Sequence, residues 1–289
     1  MDPRDVPILV LGFNRPKLIA ELFAELRELK PRKIYYAVDG PRPDRDDQKT
    51  VDACRELVSA IDWPCEVQTR FSPTNLGCGR GVSSAIAWFF EHEEEGIILE
   101  DDIRPDPSFY PYVAQMLDKY RDDARVFAIT GTNLVPPEHI SMSGSYRFSR
   151  IPVVWGWASW RRSWRSYTFN LDRWYRNWGP REAFSAMGSS VRSAAYWTLH
   201  FQLMAWHKID TWDYQVVFAA MRQRGLTVTP NVNLVDNVGF VAAATHTRKR
   251  PDYLLRRSSL KFESGIPSIH VDRDADDFMS RKVYRFRRA

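Results

Sequence analysis

The sequence predicts an α/β fold in which a mainly parallel central sheet is flanked by helices. Apolar runs alternate with amphipathic segments along the first 131 residues, turn residues separate them, and the acidic run Glu100-Asp101-Asp102 directly follows one apolar run. Alternating strands and helices imply right-handed crossovers and hence mostly parallel strands. A chain of 289 residues can bury a substantial core as one large α/β domain.

The first strand and helix are the clearest elements. Residues 7–13 form an almost unbroken apolar run, and Pro16 then opens a segment with apolar residues at helical spacing. This pattern is typical of a strand, a turn and a helix with proline in its first position. The same alternation predicts strands at 33–38, 65–71, 96–99 and 126–131, and helices at 48–61, 81–90 and from residue 107 or 111.

Beyond Gly131 the alternation ends, and six tryptophans lie between residues 155 and 178. Such a cluster is typical of a core or an interface, and it also offers aromatic faces and indole donors to a bound sugar ring. Both interpretations stay open for Trp155 and Trp157. We expect residues 1–131 to form an α/β half and residues 132–289 a second lobe docked on it, within one continuous domain.

Composition places the chain among ordinary globular proteins, because 44% of its residues are hydrophobic and 27% are charged. No apolar run is long enough to cross a bilayer, and residues 1–5 do not resemble a signal peptide, so we expect a cytoplasmic location. Three cysteines without metal-ligand spacing predict reduced thiols. A net charge of +5 is too small to indicate a nucleic-acid partner. The basic residues cluster near the C-terminus, which predicts peripheral contact with the anionic inner face of the membrane.

The acidic run is the strongest functional signal. Glu100, Asp101 and Asp102 repel one another, so folding alone gives no reason to place them behind a buried strand. Carboxylate oxygens suit Mn²⁺ or Mg²⁺, which keep coordination positions for waters and substrate phosphates. Open parallel sheets bind ligands at the carboxyl ends of their strands. A solvated acidic turn is the alternative, and the preceding strand favours a site for a metal and a diphosphate.

Polar residues also follow the first two strands. Arg15 lies near a helix N-terminus and could bind a phosphate or a base carbonyl, and Asp39 could accept from a base N–H or a ribose hydroxyl. A helix cap and a turn are the structural alternatives. The glycine-rich segment 75–81 could approach a diphosphate through backbone N–H groups, with Arg80 compensating charge, although it lacks the lysine and hydroxyl of a P-loop.

Asp213 is the candidate for proton transfer. It precedes a helical apolar pattern, so its carboxylate would lie in the first turn, where the helix dipole favours the ionised form. An ionised carboxylate near a metal can take the proton from an attacking hydroxyl. Helix capping is the structural alternative for this residue.

Taken together and in order, these segments resemble the nucleotide-sugar glycosyltransferases of the GT-A fold, whose Rossmann-like sheet carries a DXD-type carboxylate motif that holds a divalent metal. The similarity extends to the family 2-like enzymes and to the Glu-Asp-Asp variant of the N-acetylglucosaminyltransferase I-like enzymes. The segments that carry it are Leu11-Gly12-Phe13-Asn14-Arg15, Val38-Asp39-Gly40, 99–110, Gly156-Trp157-Ala158-Ser159-Trp160 and Thr211-Trp212-Asp213-Tyr214. The chain departs from the family at Phe13, which replaces a cysteine, and at Tyr214, which replaces a second aspartate.

The resemblance implies a role for each matched residue. It places Arg15 at the nucleotide, Asp39 at the uracil and Asp102 on the metal, with Glu100 and Asp101 nearer the donor or its waters, and Asp213 as the catalytic base. It also makes His246 a minor candidate for a further metal contact, because many GT-A enzymes take one from their C-terminal region. A lone histidine is more often an ordinary hydrogen-bonding residue.

We therefore expect a metal-dependent, inverting glycosyltransferase that uses Mn²⁺ or Mg²⁺. It would move a sugar from a UDP-sugar donor to a hydroxyl of a glycan or lipid-linked acceptor. Arg80 would assist at the diphosphate, and Trp155 or Trp157 would shape the acceptor side. A sugar nucleotidyltransferase of the same fold and a non-catalytic carbohydrate-binding module are the alternatives.

Overall fold

The computed structural model describes residues 1–176, 178–188, 190–240, 253–262 and 268–285. Their strands are β1 (Ile8–Gly12), β2 (Lys33–Val38), β3 (Glu66–Phe71), β4 (Glu95–Glu100), β5 (Ile103–Pro105), β6 (Val126–Thr130), β7 (Tyr146–Ser149), β8 (Trp157–Trp160), β9 (Leu226–Pro230) and β10 (Val235–Asn237). Their helices are α1 (Pro16–Leu29), α2 (Gln48–Glu56), α3 (Gly77–His92), α4 (Phe109–Tyr120), α5 (Arg161–Trp164), α6 (Pro180–Ala186), α7 (Val191–Ala205), α8 (Asp213–Gln223) and α9 (Arg273–Phe278). None of the helices in this part of the chain is both long and apolar enough to span a bilayer.

The main sheet contains eight of these strands in the order β3-β2-β1-β4-β8-β6-β9-β7. β3, β2, β1 and β4 are parallel neighbours. The chain adds strands outward from β1 to β3 and then returns to the other side of β1 with β4. Open α/β sheets bind their ligands at such a reversal of strand order, outside the carboxyl ends of the strands.

The predicted α/β class is confirmed, and both faces of the sheet are covered. Ile8 and Val10 of β1 contact a core that includes α1, α2 and α4, whereas Leu9 and Leu11 contact a core that includes α3 and α8. Because successive side chains of a strand point to opposite faces, a strand covered on both sides must be apolar throughout. This explains why the strands of the first half are readable as continuous apolar runs.

The second half joins the same sheet through an inserted strand. β8 lies between β4 and β6 and is antiparallel to both. Trp157 and Trp160 of β8 are only 1% and 2% exposed, and the Trp157 ring stacks on Trp212 with a centroid separation of 6.0 Å. The interpretation of Trp157 as part of an acceptor wall is therefore wrong, since its side chain belongs to the core.

β5 is an element that the sequence does not predict. It directly follows the acidic run and pairs with β10 in an antiparallel ribbon, so the strand predicted at 126–131 is the sixth. The Val238 N–H also donates to the Asp102 carbonyl at 2.9 Å. The ribbon thus holds the chain after β10 against the acidic run.

Two aspartates attach α9 to the rest of the molecule. Asp272 accepts from the backbone N–H groups of Ser141 and Met142, both at 3.0 Å. Asp276 accepts from the Ser149 hydroxyl of β7 at 2.6 Å. Both aspartates are buried, so each satisfies donors that would otherwise lack a partner away from water.

Candidate functional site

A cavity of about 690 Å³ opens at the carboxyl ends of β1, β2 and β4, where the strand order reverses. Its volume is within the range of roughly 300–1,000 Å³ that is usual for small-molecule sites. Most of the candidate residues predicted from the sequence line it: Arg15, Asp39, Glu100, Asp101, Asp102 and Asp213. The fold thus brings these side chains from distant parts of the chain to one place.

Arg15 is engaged by the acidic run itself. Its Nε donates to Asp101 Oδ2 at 3.0 Å, Nη2 donates to Asp101 Oδ1, and Nη1 donates to Asp102 Oδ2 at 3.0 Å. Asp101 is 3% exposed, and burial raises its pKa to about 6 although Arg15 acts in the opposite direction. Arg15 therefore neutralises Asp101 and part of the charge of Asp102 through bidentate, charge-assisted hydrogen bonds.

The carboxyl group of Glu100 has no polar partner within the described part of the chain. Among the described residues, none donates a hydrogen bond to its carboxylate or forms an ion pair with it. Burial raises the pKa of Glu100 well above its ordinary value, and the neighbouring charges of Asp102 and Asp101 raise it further. Asp102 Oδ1 likewise accepts nothing from the part of the chain described. This edge of the cavity would therefore be stabilised by a cation.

The donor set fits a divalent cation that is held partly by its substrate. Mg²⁺ is often bound through one or two carboxylates together with substrate phosphates and waters. Asp102 Oδ1 would supply a direct oxygen ligand, and Glu100 a carboxylate for a coordinated water. Within the described ranges no group of three or more His, Cys, Asp and Glu side chains is arranged to hold a metal.

Asp39 follows β2 and uses its carboxylate within the protein. It accepts from the Gly40 N–H at 2.8 Å, from the Leu76 N–H at 3.0 Å and from Asn75 Nδ2 at 3.1 Å. Burial raises its pKa although these hydrogen bonds act in the opposite direction. Asp39 thus holds the glycine-rich segment against the end of β2, and it still lines the cavity.

The glycine-rich segment forms the N-terminus of α3. The anion at this N-terminus is the Asp210 carboxylate, a residue that was not predicted from the sequence. The Gly79 N–H donates to Asp210 Oδ1 at 3.1 Å. A Cβ atom at Gly77 or Gly79 would lie 2.9 or 2.5 Å from an Asp210 oxygen, so the close approach requires glycine. Arg80 is exposed and not among the lining residues, and its guanidinium lies 5.2 Å from the centre of the Phe169 ring.

Two arginines that the sequence interpretation missed line the cavity. Arg42 donates from Nε to Asp47 at 2.6 Å, and its guanidinium lies 5.2 Å from the centre of the Phe13 ring. Arg70 of β3 is half-buried, and its guanidinium makes no hydrogen bond or ion pair with any described residue. Its position near the carboxyl end of a predicted strand is a signal that could have identified it.

Asp213 is the first residue of α8. Its Oδ1 accepts from Thr211 Oγ1 at 2.5 Å and from the Tyr214 N–H at 2.9 Å, whereas Oδ2 has no donor in the described ranges. Burial raises the pKa of Asp213, and these hydrogen bonds offset the shift only in part. The N–H groups at the start of α8 favour the ionised form, but removal from water has the larger effect on the pKa.

Asp213 and the acidic run face the same part of the cavity. Cys78, at the start of α3, lines the cavity as well. Burial raises the pKa of its thiol to about 12, and the charges of Glu100 and Asp213 raise it further. The chemistry available here is a proton-accepting carboxylate in the same pocket as a cation-attracting pair.

A second cavity, of about 520 Å³, adjoins the first. The two share Val154, Trp155, Asp213 and Tyr214 in their linings. Trp155 is half-buried, so it borders both spaces, in contrast to the buried Trp157. Asp213 thus lies at the junction of two cavities.

The C-terminal candidate, His246, lies outside the described residues, as does the basic segment 248–250. The neighbouring Arg257 is described. Its Nη1 donates to the carbonyls of Arg104 and Pro105 at 3.1 and 3.0 Å. This arginine therefore attaches the C-terminal region to β5, close to the acidic run.

No protein-family model and no curated protein sequence matches the chain. Similar solved structures include a mannosyltransferase from Pyrobaculum calidifontis in complex with GDP-Man and Mn²⁺, at 13% identity and a TM-score of 0.45, covering 77% of this chain and 74% of that chain. A UDP-glucose pyrophosphorylase complexed with UDP-glucose has 10% identity and a TM-score of 0.39, with 78% and 90% covered. The inositol-1-phosphate CTP transferase from T. maritima has 11% identity and a TM-score of 0.34, with 58% and 77% covered. At these identities and TM-scores the similarity assigns neither a family nor a reaction to this chain.

Proposed function

We propose that the protein is a metal-dependent, inverting glycosyltransferase that moves a sugar from a UDP-sugar to a hydroxyl of a glycan or lipid-linked acceptor. One observation carries the proposal. Asp213 lies at the junction of two cavities, in the same pocket as the carboxylates of Glu100 and Asp102. The first cavity would hold the donor and the second the acceptor, with the proton-accepting group between them.

The donor would lie along the carboxyl ends of β1, β2 and β4. Arg70 is suited to a phosphate or a base carbonyl, and Asp39 borders the region proposed for the uracil. Arg15 would orient Asp102 through its Nη1 hydrogen bond. When bound at Asp102, Mn²⁺ or Mg²⁺ would neutralise the charge of the leaving diphosphate. This division leaves Glu100 to hold water or donor hydroxyls.

Asp213 would act as the base. The acceptor oxygen attacks the anomeric carbon on the face opposite the diphosphate, the bond from that carbon to the phosphate oxygen breaks, and the bonding pair leaves with UDP. The hydroxyl proton passes to Asp213 Oδ2, since Oδ1 already accepts two hydrogen bonds. A single displacement of this kind inverts the configuration of the transferred sugar.

Hydrolysis of UDP-sugars without acceptor tests the donor half of the proposal. We expect Mn²⁺-dependent release of UDP by the wild type, a loss of about 100-fold for Asp102→Asn because leaving-group charge is no longer stabilised, and no loss for Asp44→Asn. Asp44 is an exposed control whose nearest basic partner is Arg45 at 3.9 Å. Full Mn²⁺-dependent hydrolysis by Asp102→Asn would contradict the metal assignment.

Asp213→Asn tests the base. The variant should bind UDP with Mn²⁺ as the wild type does in calorimetry, and it should lose transfer by about 1,000-fold because no carboxylate accepts the proton. Unchanged turnover would remove Asp213 from the mechanism. Formation of a sugar nucleotide from UTP and a sugar 1-phosphate would instead indicate a nucleotidyltransferase, and glycan binding without UDP would indicate a binding module.

A further inference from the structure

The second cavity has a lining that differs from that of the first. Four half-buried aromatic side chains border it, Trp155, Tyr214, Tyr253 and Tyr284, and the buried Tyr196 and Trp197 lie behind them in the core. His200 of α7 lies among them, and Asp213 closes the end shared with the first cavity. Flat aromatic faces suit a ligand that has an apolar face of its own. The sequence analysis singled out none of these residues except Trp155, Asp213 and Tyr214.

The ring of His200 is held in one orientation. It packs between Tyr196 and Tyr214, with centroid separations of 3.9 and 5.0 Å and interplanar angles of 30° and 26°. Its Nδ1 lies 2.7 Å from the backbone carbonyl oxygen of Tyr196. Two ring contacts and a hydrogen bond at one edge restrict the rotation of the imidazole.

The same contact determines the tautomer of His200. A carbonyl oxygen only accepts, so Nδ1 must carry the hydrogen, and Nε2 of the neutral ring is then an acceptor. Burial lowers the pKa of His200, although the Tyr196 carbonyl and the charge of Asp213 act in the opposite direction. Burial therefore favours the neutral form of the ring. No described residue donates to Nε2.

Two residues that line the second cavity thus carry an acceptor atom without a donor among the described residues: Nε2 of His200 and Oδ2 of Asp213. Together they select a ligand with two hydroxyl groups, and the aromatic lining selects one with an apolar face. A hexopyranose ring combines both properties, since it carries neighbouring hydroxyls around its edge and C–H groups on its face. A simple alcohol offers only one of the two donors.

We propose that His200 binds the acceptor: its Nε2 accepts a hydrogen bond from one hydroxyl of a hexopyranose, while another hydroxyl of the same ring lies at Asp213 and attacks the donor. This inference rests on the function proposed above and names the class of its acceptor. His200 touches the acceptor and leaves the donor untouched. Its loss therefore weakens acceptor binding without changing what happens in the first cavity.

Three substitutions separate the hydrogen bond of Nε2 from the packing of the ring. His200→Phe keeps an aromatic ring between Tyr196 and Tyr214 and removes both nitrogens. His200→Asn retains a donor for the Tyr196 carbonyl and has nothing at the position of Nε2. His200→Gln places an amide near Nε2, whose oxygen can still accept.

Steady-state transfer from a UDP-sugar to methyl hexopyranosides tests the proposal. We expect the Phe and Asn variants to raise the acceptor KM about 10-fold, as for one lost hydrogen bond, and the Gln variant to raise it less. The donor KM should match that of the wild type, and unchanged circular dichroism spectra would show that the variants fold. An unchanged acceptor KM in the Phe and Asn variants would overturn the assignment of His200.

A second readout does not depend on turnover. The ¹⁵Nε2 resonance of His200, assigned with the Gln variant, should shift when methyl hexopyranosides are titrated into the wild type. A wild type that hydrolyses a UDP-sugar but neither transfers to any methyl hexopyranoside nor shows this shift would overturn the acceptor class. Absence of UDP binding and of hydrolysis, with the shift present, would contradict the proposed function and leave the sugar site standing.

Discussion

The acidic residues of the first cavity differ chiefly in how their charge is compensated. Asp101 is paired with Arg15, Asp39 accepts from two backbone N–H groups and an amide, and Glu100 accepts from no described residue. A buried carboxylate that is already satisfied serves the fold, whereas one without a partner is available to a ligand. This distinction separates Glu100 and Asp102 from their neighbour Asp101.

The pH dependence of transfer should report on Asp213. The residue accepts a proton only when ionised, and burial raises its pKa above the ordinary value for aspartate. The acidic limb of kcat/KM for the acceptor, measured at saturating donor, should therefore lie at higher pH than an exposed aspartate would give. The rate should fall as the pH drops through this raised pKa. If the pH of the acidic limb is the same in Asp213→Glu as in the wild type, the titrating group is not Asp213.

Replacing Arg15 should cost more stability at pH 8 than at pH 5. Arg15→Met leaves Asp101 buried without its partner, which should cost about 3 kcal/mol in urea unfolding while Asp101 is ionised. At lower pH Asp101 can take a proton, so the cost should shrink. Arg4→Met removes an exposed pair with Asp2 and should leave the stability close to that of the wild type at either pH, because solvent screens exposed pairs. Equal losses in the two variants would contradict the buried pairing.

From the sequence it was easier to predict which residues line the same cavity than to predict the hydrogen-bond partners of each residue. Asp102 and Asp213 could be placed at one edge because residues at the ends of a strand and at the start of a helix have defined positions. The partners of Arg15 and Asp39 depend on side-chain directions, which strand and helix periodicity does not determine. His200 was missed because its contact with Tyr214 depends on how α7 packs against α8, which the sequence pattern does not show.

At the level of elements, the C-terminal helix α9 depends on a buried cap. Asp272 accepts from the Ala275 N–H at 3.1 Å within α9 and from Ser141 and Met142 outside it. Burial would raise the pKa of Asp272, but the hydrogen bonds outweigh it and hold the pKa below its ordinary value. The charged form of Asp272 therefore stabilises the folded state.

Asp272→Asn should remove this contribution. Because the folded pKa is lowered, the stabilisation is present above about pH 4 and is lost as the pH falls through the folded value. We expect the variant to lose about 1 kcal/mol at pH 7 in urea unfolding and to show a weaker decline below pH 4 than the wild type. Asp274→Asn changes the same charge at an exposed position of α9 and should behave as the wild type. Matching losses in both variants would point to net charge instead of the cap.

Strand β8 shows where prediction from local sequence ended. Residues 157–160 combine two tryptophans with alanine and serine, a composition that a core strand and a sugar-binding wall share. What decides between them is pairing with β4 and β6, and both partners are distant in the chain. By contrast, β1, β2 and β4 were predictable because their central residues are apolar on both faces and a turn or loop follows each strand.

For the molecule as a whole, the site is built by both halves of the chain. Arg15, Asp39 and the acidic run come from the first half, whereas Trp155, His200 and Asp213 come from the second. The first half alone would hold a donor without a base. A fragment of residues 1–131 should also expose the β4 edge that β8 covers, with Ile97 and Ile98 along it. We expect this fragment to aggregate in sedimentation experiments, and a monodisperse, folded fragment would contradict the expectation.

The position of β8 between β4 and β6 also constrains the order in which the strands can pair during synthesis. Translation delivers β4 long before its neighbour β8, and β6, which pairs with the far side of β8, also precedes it. The nascent chain must therefore keep an apolar strand edge open until residue 160 has left the ribosome. During that interval β4 and β6 could pair with each other directly, which would produce a sheet without a place for β8. Correct assembly of this sheet thus depends on the timing of synthesis as well as on the final contacts.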